Sequence, residues 1–123
     1  MINIAGTYKT PHLQFDEQSG KLNIWGKSFS ENSKEFYKPL IEKIKDYKKA
    51  PCPLTVIDIK LEYINSSSSK SIQDIIREFE SMKALSKIMI NWNYESDDED
   101  MLEAGEDYQS KSSLHFNLIE IDK

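Results

Sequence analysis

A chain of 123 residues with 38% hydrophobic residues, two Trp, six Tyr and five Phe has the material for one core, and one domain over residues 1–123 is expected. A net charge of −5 and a lone arginine, Arg77, argue against nucleic-acid binding, which needs a basic face to displace counterions. No apolar run approaches the roughly 18–20 residues of a membrane span, the first residues lack a signal-peptide pattern, and Cys52 has no second cysteine to pair with; a cytoplasmic protein without membrane attachment is the expectation.

In chain order, "HLQFD" (His12 to Asp16) alternates, "EQSG" turns at Gly20, and "KLNIWG" places Leu22 and Ile24 on one face, which reads as a β-hairpin. "SENSKEFYKPLIEKIKDYKK" is the first helix. Asn32 followed by Glu35 fits a capping box, and Phe36, Leu40, Ile44 and Tyr47 recur at helical spacing. Pro39 implies either a kink or a regular helix that starts near residue 38. "APCP" then stops it, since closely spaced prolines lead into extended chain.

"LTVIDIKLEYI" is a strand with Thr55, Ile57, Ile59, Leu61 and Tyr63 on one face and mostly polar residues on the other. One apolar and one polar face suggest a sheet covered by helices on one side. A second amphipathic helix carries Ile72, Ile75, Ile76, Phe79 and Met82. "KIMINWNYE" is the next strand, with Trp92 and Tyr94 read as core residues. A third helix over about 98–110 opens on the acids 97 to 100, which suit the dipole of a helix N-terminus, and "LHFNLIEI" is the last strand. The order β, β, α, β, α, β, α, β predicts an α/β fold: a mixed sheet of about five strands with helices mainly on one face.

The chemistry concentrates in "YINSSSSKS". Asn65 or Ser66 can cap the second helix through its side-chain oxygen, with the other serines filling the first turn. The same helix N-terminus offers free N–H groups and partial positive charge, so a hydroxyl there can carry a phosphate, with Lys70 a turn later to neutralise it. Elsewhere the signals are weaker. The acids at 97 to 100 read as a solvated helix start, a partner surface or a hard-cation site without the glycine-centred alternation of an EF-hand loop. His12 and His115 are far apart in sequence, Cys52 has no basic neighbourhood, and no phosphate-loop, nucleophile-elbow or metal-ligand spacing occurs. No cofactor is called for.

Four stretches in order, "GTYKTP" at 6–11, "FDEQSGKLNIWGKSFSENSKEFYKPL" at 15–40, "LEYINSSSSK" at 61–70 and "NWNYESDDEDMLEAGEDY" at 91–108, resemble the SiaC family of bacterial regulatory phosphoproteins. That family is similar in fold to STAS-type anti-sigma-factor antagonists. The resemblance implies a non-enzymatic switch in c-di-GMP signalling and biofilm control. A cognate Ser/Thr protein kinase and a PP2C-like phosphatase set its phosphorylation, and the unphosphorylated form binds and activates a diguanylate cyclase. Carried over, the phosphosite is Ser66, with Ser67 the alternative. Asn65, Ser66, Ser67, Ser68 and Lys70 form the switch loop and partner contact, and Ser30 to Ser33 are expected beside it. The rivals are an anti-sigma-factor-antagonist-type switch that binds a sigma-system kinase, and a small acidic metal-binding protein.

Overall fold

The structure is a computed structural model and describes residues 1–122. Six strands and three helices alternate as β1 (Ile2–Ile4), β2 (His12–Asp16), β3 (Lys21–Ser28), α1 (Ser33–Tyr47), β4 (Leu54–Ile64), α2 (Ser66–Glu80), β5 (Lys87–Glu95), α3 (Glu99–Lys111) and β6 (His115–Ile121). The strands lie in the sheet in their chain order, β1-β2-β3-β4-β5-β6. The first three pair antiparallel and the last four parallel. Each parallel step adds a strand at the same edge, so right-handed crossovers put α1, α2 and α3 on one face. The α/β class, the mixed sheet and the one-sided helices are as the sequence implied. The strand count is six rather than about five, because β1 pairs Ile2, Asn3 and Ile4 with Phe15, Gln14 and Leu13. Three residues are too short to show an alternation in sequence.

The core lies between sheet and helices. Leu13, Phe15, Leu22, Ile24, Ile57, Ile59, Ile90 and Trp92 of the sheet meet Leu40, Ile44, Ile72, Ile76 and Phe79 of α1 and α2. Gly20 closes the β2–β3 hairpin with φ 70°, a conformation that disfavours a side chain; a Cβ there would also lie 2.7 Å from the Leu54 carbonyl oxygen. α1 runs through Pro39, which is exposed, so the helix begins at Ser33 and not near residue 38. Asn32 stands at its N-cap position, yet at φ −103° and ψ 36° its side chain makes no cap hydrogen bond, and the expected capping box is not formed. Its backbone N–H donates to Ser30 Oγ at 3.1 Å instead.

Tyr63 also departs from its expected place. Gly26 pairs with Leu61 and Lys27 with Tyr63, so Glu62 is an extra residue and the alternation of β4 breaks there. Leu61 stays buried, whereas Tyr63 is 54% exposed. Away from the helices the sheet is polar. One register row crosses all six strands through Asn3, Gln14, Asn23, Asp58, Asn91 and Asn117. Asn117 Nδ2 donates to Asn91 Oδ1 at 3.0 Å within this row.

Glu80 at the end of α2 organises the turn between α3 and β6. Its Oε2 accepts from Ser113 N at 2.9 Å, Ser113 Oγ at 3.1 Å and Ser112 Oγ at 3.2 Å. Burial pushes the carboxyl up, but these donors together hold its pKa below the ordinary value. A folded pKa below the unfolded one stabilises the fold above the unfolded value of about 4.3, and that contribution disappears as pH falls through the folded value. Glu80→Gln should therefore cost about 1 kcal/mol at pH 7 and less at pH 3, as read from urea unfolding at both pH values. An equal cost at both would assign Glu80 to packing alone.

Candidate functional site

β4 delivers the chain to Asn65, whose extended backbone (φ −95°, ψ 175°) makes it the N-cap of α2. Of the two expected caps, the cap is thus Asn65 and not Ser66. Asn65 Oδ1 accepts from Ser68 N at 2.8 Å, and its carbonyl accepts from Ser69 N at 2.8 Å. The same residue ties the loop to the end of β3. Its backbone N–H donates to Ser28 O at 3.0 Å, and its Nδ2 donates to Ser30 O at 3.4 Å. The cap therefore fixes two chain segments 35 residues apart in sequence.

The helical turn then gives each serine a different environment. Ser66 is exposed, and its hydroxyl bonds to no described residue. Ser67 Oγ is hydrogen-bonded to Ser33 Oγ at the first residue of α1. Ser68 is fully buried, with a hydroxyl that has no hydrogen-bond partner among the described residues. Ser69 Oγ donates at 2.7 Å to Tyr108 Oη of α3, while Tyr108 donates at 2.9 Å to the Ser69 carbonyl. Burial pushes the Tyr108 hydroxyl up to about 12, only partly offset by its bond to Ser69, so it remains a neutral donor at physiological pH.

The exposed side of this junction is a shallow groove of about 390 Å³ between α2 and α3, lined in part by Ser66, Ser69, Lys70, Tyr108 and Lys111. Lys111 is paired with Asp107 at 3.0 Å, whereas Lys70 is exposed and has no carboxylate partner among the described residues. The first turn of α2 has no acidic side chain, while α1 has Glu35 and α3 has Glu99 and Asp100. Chemically, the junction offers one accessible hydroxyl at the positive end of a helix dipole, with an ammonium nearby.

The structure brings together Asn65, Ser66, Ser67, Ser68 and Lys70, and it brings Ser30 and Ser33 beside them as expected. Tyr108 is a member that the sequence reading passed over. It stands 39 residues from Ser69, and its only sequence signal is a helical spacing shared with ordinary core residues. The acids 97 to 100 lie elsewhere. Asp98 caps α3 by accepting from Met101 N at 3.0 Å, and Glu99 and Asp100 fill its first turn. Among the described residues no three His, Cys, Asp or Glu side chains are grouped to hold a metal ion, and no helix is long and apolar enough to cross a membrane. His12 stacks on Trp25 at 4.8 Å in β2, and His115 bonds to Asn117 in β6, four strands away, so the two do not form a pair. Cys52 Sγ faces the carbonyl of Gln18 at 3.3 Å.

A mixed sheet with its helices on one face, and a hydroxyl-rich strand-to-helix junction at the end of an inner strand, define a one-sided α/β domain of the kind seen in SiaC regulatory phosphoproteins. Residues 4–121 match the family described as "SiaC family regulatory phosphoprotein", and the chain belongs to that family. It is 29% identical over 118 residues to an uncharacterized protein of Pseudomonas aeruginosa (strain UCBPP-PA14), a match that covers 95% of this chain and 94% of that protein. It is similar to a chain in the crystal structure of the diguanylate cyclase SiaD in complex with its activator SiaC from Pseudomonas aeruginosa. That match has a TM-score of 0.91 and 28% identity, and covers 98% of this chain and 100% of the other. The crystal structure of apo-SiaC from the same organism is similar with a TM-score of 0.87 and 28% identity, over 96% and 97% of the two chains.

Proposed function

We propose that this protein is a non-enzymatic signalling switch, reversibly phosphorylated on Ser66, whose unphosphorylated form binds and activates a diguanylate cyclase in the cytoplasm. The observation that carries the site is the contrast among the four serines: only the Ser66 hydroxyl is both exposed and free of a hydrogen-bond partner among the described residues. A kinase needs such a hydroxyl, and Ser67 meets the need less well because its bond to Ser33 must first break. The partner reading is supported by the similarity to SiaC in complex with the cyclase SiaD. A Ser/Thr kinase and a PP2C-like phosphatase would set the state. Phosphate at Ser66 adds about −1.5 to −2 charges at the helix N-terminus, where the dipole and Lys70 tolerate it. The fold then persists while the surface changes sign, and a partner docked there meets repulsion and a desolvation cost.

Mass-spectrometric mapping of the protein purified from its native cell tests this reading. Phosphate is expected on Ser66, and the unphosphorylated fraction should co-purify with a GGDEF-type cyclase. Phosphate confined to Ser67 or to another residue overturns the site. Recovery of a sigma-system kinase in place of a cyclase transfers the protein to the anti-sigma-factor-antagonist type.

A further inference from the structure

Beside the switch loop lies an exposed aromatic cluster that neither the core nor the phosphosite uses. Tyr8 is 76% and Tyr63 54% exposed, and Phe29 sits half-buried between them. The Tyr8 and Phe29 rings meet edge to face at 5.5 Å, and the Phe29 and Tyr63 rings at 5.6 Å. Three segments supply the rings, and each is pinned. Tyr8 rides a tight turn in which Thr7 N donates to Thr10 O at 2.9 Å and the two threonine hydroxyls bond at 2.7 Å. Phe29 N donates to Lys9 O at 2.9 Å. Tyr63 owes its exposure to the break in alternation at Glu62.

Such rings are anchors set in place before any partner arrives. Solvent-facing tyrosines held by their neighbours lose little entropy on binding, and tyrosine is enriched among residues that dominate interface energies. The cluster is also continuous with the switch. Asn65 caps α2 and holds the carbonyls of Ser28 and Ser30, the two residues that flank Phe29. Tyr63 lies two residues before that cap. The border of the cluster is cationic: Lys27 Nζ stands 5.8 Å from the Tyr8 ring centroid, Lys9 is exposed in the same turn, and neither is ion-paired among the described residues. Of the nearby carboxylates, Glu62 lines the cleft formed with Trp25, Lys60 and Glu95, and Glu31 lies beyond Ser30.

We infer that Tyr8, Phe29 and Tyr63 form the docking anchor for a partner segment that carries an apolar stripe bordered by Asp and Glu side chains. The apolar stripe covers the rings, and its carboxylates meet Lys9 and Lys27. Occupancy then responds to the switch, because a phosphate on Ser66 opposes the same carboxylates that the lysines attract. The inference rests on the Ser66 switch for its regulation, while the anchor itself stands on the geometry of the three rings.

Photo-crosslinking of the full chain in its native cell tests it, with p-benzoylphenylalanine at position 8 or 63 and at position 91 on the helix-free face as control. Adducts at 8 and 63 are expected on one acidic, apolar segment of a diguanylate cyclase, with yields about tenfold lower in a Ser66→Asp background. Tyr8→Ala, at an exposed position, should weaken binding of that cyclase by about tenfold or more. Adducts on an acidic, apolar segment of a different protein uphold the anchor and sink the cyclase reading. No adduct at 8 and 63, adducts at 91 alone, or adducts on a basic segment overturn the anchor and leave phosphate mapping of Ser66 unaffected.

Discussion

Changing Ser66 to aspartate should lower affinity for the proposed cyclase partner by about tenfold or more, and leave the melting temperature within about 2 °C of wild type. The two readouts separate because Ser66 makes no contact that the fold needs. Its side chain is exposed at the first residue of α2 and makes no hydrogen bond to the described residues. A carboxylate at that position is favoured by the helix dipole by about 0.3–1 kcal/mol, so stability is held or slightly raised. At a docked surface the same charge must be desolvated, and about 1.4 kcal/mol of penalty already makes the tenfold loss. Ser68→Asp should behave in the opposite way. Ser68 is fully buried, so a carboxylate there unfolds the junction and lowers the melting temperature sharply. Calorimetric titration with the cyclase, beside thermal unfolding of each variant, reads both effects. Wild-type binding by Ser66→Asp, together with wild-type binding by protein phosphorylated in vitro, would sink the switch.

Gly105→Ala should destabilise the fold by about 2 kcal/mol, although alanine is the better helix former by about 1 kcal/mol. A Cβ on Gly105 would lie 2.4 Å from Trp92 Cδ1, 2.7 Å from Trp92 Nε1 and 3.0 Å from Leu118 Cδ2. The indole cannot move aside. It is fully buried, and its Nε1 donates to the Met101 carbonyl at 2.9 Å, which locks β5 to the first turn of α3. The sign of the change decides the matter in a chemical unfolding experiment: a gain of about 1 kcal/mol would show that α3 can lift off the sheet. Since α3 also carries Tyr108, the substitution should also loosen the Ser69 contact and increase amide hydrogen exchange in the first turn of α2.

The elements with long, unambiguous periodicity were legible in the sequence. β4 from Leu54 to Ile64, the isoleucine stripe of α2 and the Leu22/Ile24 face of the hairpin each repeat an apolar residue often enough to fix type and face. What failed was short or depended on distant partners. β1 has three residues and exists because β2 offers it a ladder. Asn32 and Glu35 have the spacing of a capping box, but the backbone at Asn32 is not in the extended conformation of a cap and its side chain makes no cap hydrogen bond, while Ser33 bonds to Ser67 of α2, 34 residues on. The inward parity of Tyr63 was undone by one extra residue, Glu62, which no local pattern marks. The serine run shows the same limit at the site. Its place at a helix start is written in the neighbouring apolar residues. Which hydroxyl faces solvent is decided by Ser33 and Tyr108, and only the assembled helices bring these to it.

The agreement of sheet order with chain order has a consequence for synthesis. Every strand pairs with the one made just before it, so a chain leaving the ribosome can extend its sheet from one edge to the other without waiting for a distant segment. The serine junction matures in stages along this path. Asn65 can bond to Ser28 and Ser30 as soon as β4 docks, and Ser67 finds Ser33 when α2 forms. Ser69 has to wait for Tyr108, which emerges with α3. The local environment that singles out Ser66 is therefore complete only once α3 has emerged and docked, and it reports that the helices of this domain are assembled.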